Sequence, residues 1–155
     1  MFKKSLVLSL VFAGALSIST VAFASLYEWF DGGTMYNLAT GAASAQPGGS
    51  ALGVLPGDTL RLKYRMSTNA PYEENRSVYI VSTTSTGDVY EEIPACRRTG
   101  TVNLSWDGSC DVTYSILSGN SYKIRVTTNF AGCGSFTPTP TAYCGDALDF
   151  PVTLR

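Results

Sequence analysis

Four cysteines and no histidine frame the chemistry open to this chain. Cys96, Cys110, Cys133 and Cys144 are an even set, which in an exported chain reads as two disulfides. Four cysteines allow three connectivities; Cys96–Cys110 with Cys133–Cys144 is favoured because each bridge closes a short loop. A zinc site would need close cysteine pairs or histidine partners, and the spacings here are wide. The missing histidine removes the Ser-His-Asp and Cys-His arrangements. A Ser-Lys pair would have to use Lys63 or Lys123, both at outward strand positions where nothing desolvates the amine. Glu73-Glu74 and Glu91-Glu92 are adjacent carboxylates. Neighbours on a strand point to opposite faces, so adjacency builds no acid/base pair, and the expected role is solubility and blunting of strand edges. Asp107, Asp111, Asp146 and Asp149 lack the spacing of a calcium loop. The expectation is a non-enzyme with no metal and no cofactor.

Binding chemistry has more to work with. In TLRLKYRM, residues 59–66, the cations Arg61, Lys63 and Arg65 fall on one face of a strand. Lys123 and Arg125 would extend the stripe if the two strands were neighbours. Such a stripe suits an anionic ligand, such as a polysaccharide or lipid headgroups; the plainer alternative is a solvated face paired across strands with Glu91 or Glu92. Tyr72, Tyr90, Phe136 and Tyr143 lie near turn signals, where they could stack on sugars or pack on a sheet edge. The candidate binding set is therefore Arg61, Lys63, Arg65, Phe136 and Tyr143. Nucleic acid is not an expected partner: without Lys3 and Lys4, 9 basic side chains face 12 acidic ones.

The elements that must position these residues follow from the ends inward. Residues 1–24 read as a secretory signal, with Lys3 and Lys4, an apolar run and Ala22-Phe23-Ala24 as cleavage site, so the mature chain is expected to begin at Ser25. No later apolar run reaches membrane-span length. What remains is one domain in size. Its apolar residues alternate between Gly, Pro, Asn and Asp breaks, the mark of half-buried strands. Leu60, Leu62, Tyr64 and Met66 share a face, as do Val102, Leu104 and Trp106; Cys110, Val112, Tyr114 and Ile116; Tyr122, Ile124 and Val126; and Phe150, Val152 and Leu154. Pro151 places the last strand at an edge or makes it start late. The unbroken apolar run Val78–Val81 suits a central strand. Asp107-Gly108 signals a two-residue hairpin, and Trp106 is the expected core anchor. Residues 129–146 read as a long loop pinned by a disulfide. The count is seven to nine strands in an all-β, disulfide-stapled, immunoglobulin-like antiparallel β-sandwich, with a small barrel as the rival.

PGDTLRLKY, SVYIVSTTSTGDVYEEI, GTVNLSW, ILSGNSYKIRVTT and LDFPVTL follow one another in an order that resembles secreted Ig-like domains of the Kre9/Knh1 type and, more broadly, fibronectin-III-like bacterial domains. The resemblance covers roughly residues 54–155. It implies a binding or structural module and carries no catalytic residues. It leaves the cysteines and the N-terminal segment unexplained.

That segment raises its own question. Leu26, Tyr27, Trp29 and Phe30 form an aromatic strand, and the run ATGAASAQPGGS after it is slack. Residues 25–50 are thus an aromatic strand on a flexible Gly/Ala/Ser linker, ahead of a sandwich over 51–155. Either the strand opens its own sandwich, or it is donated to a neighbour's sheet and builds a filament head to tail. The leading expectation is a secreted, extracellular or cell-surface structural or adhesive module, with self-association through Leu26, Tyr27, Trp29 and Phe30 as its assembled form. The alternatives are a module that binds surface polysaccharide or a protein partner, and a secreted hydrolase inhibitor.

Overall fold

The computed structural model describes residues 27–116 and 118–155. The signal-peptide reading of residues 1–24 and the placement of Leu26 lie outside them. The described residues form ten strands, more than the seven to nine expected: β1 Glu28–Asn37, β2 Ala43–Gln46, β3 Leu52–Val54, β4 Thr59–Thr68, β5 Tyr72–Thr84, β6 Gly87–Glu92, β7 Arg98–Val102, β8 Ser105–Thr113, β9 Ser121–Phe130 and β10 Gly145–Leu154. Short 3-10 turns stand at Pro94–Cys96 and Ala131–Cys133. Among the described residues, no helix is long and apolar enough to cross a membrane.

Two sheets face each other as a β-sandwich. The first has the order β2-β1-β4-β8, antiparallel throughout. The second runs β3-β10-β9-β5, with β6 and β7 end to end along the far flank of β5. Its one parallel pair is β3 with β10. The alternation in the sequence does the sorting. On β4, Leu60, Leu62, Tyr64 and Met66 are buried between the sheets, and Arg61, Lys63 and Arg65 point out. Val78 and Ile80 of β5, Val112 of β8, Ile124 and Val126 of β9 and Phe150 of β10 complete the core from both sides. Full burial of each such side chain is worth about 1.5–3 kcal/mol. As expected, β5 is central, flanked by β9 on one side and by β6 and β7 on the other. The last strand is neither at an edge nor late: β10 begins at Gly145 and runs between β9 and β3, and it takes Pro151 opposite Lys123 of β9, one residue before its pairing with β3 begins at Val152.

The disulfides are Cys96–Cys110 and Cys133–Cys144, with Cα atoms 5.6 and 5.8 Å apart. Closing loops this short constrains the unfolded chain by about 3 kcal/mol each. The first ties the 3-10 turn at Pro94–Cys96 to β8. The second pins the 131–144 connection, as the loop reading of that region required.

Several local expectations are corrected. Asp107-Gly108 is no hairpin: both residues lie inside β8, paired with Arg65 and Tyr64 of β4. Gly108 is there for space, because a Cβ on it would stand 2.5 Å from Trp106 and from the Tyr64 ring. The chain turns instead at Asn103–Leu104, where Leu104 takes φ 66°. That turn carries it from the second sheet to the first, so Val102, Leu104 and Trp106 share no face. Leu104, Ile116 and Leu154 are exposed. Trp106 is half-buried against the core rather than at its centre. The run after β1 is also less slack than its composition suggests: β2 pairs with Gly33–Tyr36, and Ser44 and Gln46 are buried. Residues 28–37 lie within the sheet of their own chain.

Candidate functional site: the outer face of the four-stranded sheet

Directly opposed residues of an antiparallel sheet share a face, so the register alone builds the outer surface. Four cross-strand rows run from β1 through β4 to β8. They are Tyr36, Arg61, Asp111; Thr34, Lys63, Ser109; Gly32, Arg65, Asp107; and Trp29, Ser67, Ser105. Trp29 and Tyr36 stand at opposite ends of β1, about 20 Å apart by the rise of a strand. They are 42% and 36% exposed. A bulge between Phe30 and Gly32 places Asp31 on the same face, where it accepts from the Trp29 indole at 2.8 Å and the Ser67 hydroxyl at 2.5 Å. Between the two aromatics lies a trough of about 520 Å³ walled by Thr34, Lys63, Arg65, Asp107 and Ser109.

The basic stripe is real, but its partners differ from those expected. Arg61 makes two hydrogen bonds of 2.8 Å to Asp111, and Arg65 bonds Asp107 at 2.8 and 3.1 Å. These guanidinium hydrogen bonds hold both aspartates below the usual carboxylate range. Glu91 and Glu92 are on the other sheet. Lys63, between the two arginines, has no carboxylate partner among the described residues, and its ammonium is 5.7 Å from the Tyr36 ring centroid. A second depression brings Lys63 together with Arg98, whose own hydrogen bonds go to the carbonyls of Ala95 and Arg97. Lys123 and Arg125 do not extend the stripe: they face out from the six-stranded sheet and converge on Asp149. Burial would raise the Asp149 carboxyl, but the hydrogen bonds from Arg125 and Lys123 overcome it and hold it low.

The other half of the expected binding set is elsewhere. The 131–144 loop lies back over the outer face of the six-stranded sheet. Asn75 and Asn129 donate to the Gly134 and Ser135 carbonyls, and Arg125 donates to the Pro138 carbonyl. Phe136 is covered by the Arg97 guanidinium at 4.2 Å. Tyr143 projects from the loop, 82% exposed. Phe136 and Tyr143 therefore do not join Arg61, Lys63 and Arg65. What reasoning from sequence missed is that Trp29 and Tyr36 belong to the cationic face. Residues seven apart on a regular strand point to opposite faces; the bulge between Phe30 and Gly32 and the pairing of β1 with β4, which bring these two to one face, were not visible.

Of the residues expected to act in strand donation, Leu26 lies outside the described residues and the other three have different surroundings. Trp29 faces out, Phe30 packs edge-on against Tyr64 at 5.8 Å, and Tyr27 is half-exposed ahead of the strand. Comparison of the sequence with protein-family models gives no match, and none of the curated proteins matches it.

Proposed function

We propose that this is an exported, non-enzymatic adhesive module that grips a surface polysaccharide on the outer face of its four-stranded sheet. The observation that carries the reading is Lys63, without a carboxylate partner among the described residues, between exposed Trp29 and Tyr36 on one face. Aromatic rings offer an apolar surface to the flat faces of sugar rings. The alternating hydroxyls, carboxylates and guanidinium groups of the rows between them offer donors and acceptors for sugar hydroxyls. The three cations of the stripe are matched by Asp31, Asp107 and Asp111, which favours a polysaccharide held by stacking and hydrogen bonds over a densely charged lipid surface. Two disulfides suit an oxidising compartment outside the cell.

A glycan array probed with the exported protein tests this directly. The expected result is binding to one family of polysaccharides, lost at least tenfold in Trp29→Ala and in Lys63→Ala, with Tyr143→Ala unchanged. Binding unaffected by both face variants would sink the reading.

Assembly of copies is the second reading, favoured by one observation. β2 pairs only with Gly33–Tyr36, so among the described residues the flank of 28–32 away from β4 carries no strand. A strand from another copy could add there. Donation of β1 itself would require withdrawing it from between β2 and β4, with Met35 fully buried. Sedimentation of the protein at high concentration separates assembly from a monomeric binder.

A further inference from the structure

One end of the sandwich interior holds an arrangement that the outer face does not use. Glu28 of β1 and Glu74 of β5 both point between the sheets, 9% and 0% exposed. Thr128 of β9 stands between them, its Oγ1 2.7 Å from Glu28 Oε2 and 2.6 Å from Glu74 Oε2. The Tyr72 hydroxyl donates to Glu28 Oε2. Arg76 Nε is 2.5 Å from Glu74 Oε1, and the Arg76 guanidinium lies 3.1 Å over the Trp106 ring.

Counting hydrogens assigns the protonation state. A threonine hydroxyl has one hydrogen, so Thr128 cannot donate to both carboxylates, and one carboxyl must bring its own. Glu74 has Arg76 beside it. Glu28 has no cation in contact; Oε1 of each carboxyl lacks a hydrogen-bond partner among the described residues, but only that of Glu74 faces a guanidinium. The proton therefore belongs on Glu28. The donors then run one way: Tyr72 to Glu28, Glu28 to Thr128, Thr128 to Glu74, with the charge closed by Arg76. Burial pushes the Glu28 carboxyl up to about 7; the Tyr72 hydroxyl, which donates to it, opposes that rise, and the neighbouring Glu74 charge adds to it.

The two halves of β1 are held differently. Residues 33–36 are paired on both flanks, by β2 and β4. Before the bulge, strand pairing is to β4 alone, supplemented by the Phe30 amide donating to Asp146 of β10 at 2.9 Å, the Tyr27 amide donating to Asn69 at 2.8 Å, the Ser67 hydroxyl donating to Asp31, and the Phe30 ring against Tyr64. If Glu28 ionises, two carboxylates compete for one hydroxyl and one guanidinium. The other charges near this end do not favour it: Asp146 is a further carboxylate, and Arg98 of β7 is exposed and committed to backbone carbonyls. β4 offers Thr68 opposite Glu28 and the Tyr64 hydroxyl beside Arg76, β8 offers Trp106 and β9 offers Thr128 and Phe130, all uncharged.

We propose that the proton on Glu28 latches the first half of β1 to the six-stranded sheet, and that its loss releases residues 28–32 and carries Trp29 off the polysaccharide-binding face. The latch stands on the interior geometry alone; its effect on binding rests on the reading of the outer face given above.

Amide hydrogen exchange on the exported protein at pH 5.5 and 8.5, corrected for the intrinsic change in exchange rate, tests the latch. Segment 27–33 of the wild type is expected to lose protection at least tenfold at the higher pH while β5 and β9 stay protected. Glu28→Gln, whose amide nitrogen at the Oε2 position can donate one hydrogen to Thr128 Oγ1 and one to the Tyr72 hydroxyl oxygen and has no proton to lose, is expected to keep the segment protected at both. Equal wild-type protection at the two pH values overturns the latch with no variant needed, and so does the same loss in Glu28→Gln. Polysaccharide binding measured alongside should weaken as the segment opens. Release with unchanged binding overturns the link to Trp29. Release with no polysaccharide bound at either pH overturns the outer-face reading and leaves the latch standing.

Discussion

Two arginine–carboxylate pairs of the same chemistry sit in opposite surroundings. Arg65 and Asp107 meet on the outer face with side chains 60% and 71% exposed. Arg76 and Glu74 meet between the sheets at 7% and 0%. Water screens the first pair, which is worth under about 1 kcal/mol and can exchange its partner for a ligand. The second cannot be re-solvated without opening the sandwich. Its charges are closed by Thr128, Tyr72, Glu28 and the Trp106 ring, drawn from β9, β5, β1 and β8. The exposed pairs keep a face adaptable, and the buried pair fixes how four strands meet at one end.

Breaking the buried pair should have the largest effect. Arg76→Ala leaves Glu74 as an uncompensated interior carboxylate, and such losses run at about 3–5 kcal/mol. Urea unfolding should show it as a fall in midpoint with an unchanged slope. The double variant Glu74→Leu/Arg76→Met removes both charges and should recover most of that loss, because the desolvation cost disappears with the pair. A cost of under 1 kcal/mol for Arg76→Ala would make the two pairs equivalent and end the comparison.

The pH dependence is next in size. The folded value of Glu28, about 7, lies above its ordinary 4.5, so the folded state holds the proton more tightly than the unfolded chain. The associated stability is fully present below pH 4.5 and is lost as pH rises through 7, up to about 3 kcal/mol in all. Burial raises Glu74 in the same direction. Asp58, Asp88, Asp107 and Asp111 are held low by their hydrogen bonds and act oppositely: their contributions fade only in stronger acid. Stability should therefore peak on the acid side of neutrality. Urea melts from pH 4 to 8.5 check this, and Glu28→Gln should flatten the neutral limb. A wild-type maximum at pH 8 would contradict it.

Much of the frame was legible in the sequence because burial with period two leaves a direct trace. The β4 alternation, the central β5 and the loop pinned by Cys133 and Cys144 could all be read from residue types. The interior cluster could not. Glu73-Glu74 reads as a solvated pair because carboxylates are rarely buried without partners, and the partners here are 46 to 54 positions away, at Glu28 and Thr128. Only strand pairing brings those positions together. Asp107-Gly108 misleads for a related reason. The dipeptide suits a tight turn locally, but Tyr64 and Trp106 need the missing side chain of Gly108, and Arg65 needs Asp107 across the sheet. The cationic stripe was visible, yet its aromatic flanks depended on β1 lying beside β4.

The smallest expected effect sharpens the comparison from the exposed side. Asp107→Ala removes the partner of Arg65, which can reach water or the trough beside Lys63. The stability change should be at most about 1 kcal/mol, a shift of a few degrees in thermal unfolding. The face gains one uncompensated positive charge next to Lys63, so affinity for an acidic polysaccharide should rise by a few-fold while affinity for a neutral one stays flat. Added salt should erase that gain, since the new charge is solvent-screened. Titration of the variant and wild type at low and high salt separates the two cases. A loss of binding to both polymers would mean that Asp107 contacts the sugar itself, turning the outer pair from a reserve of charge into part of the recognition surface.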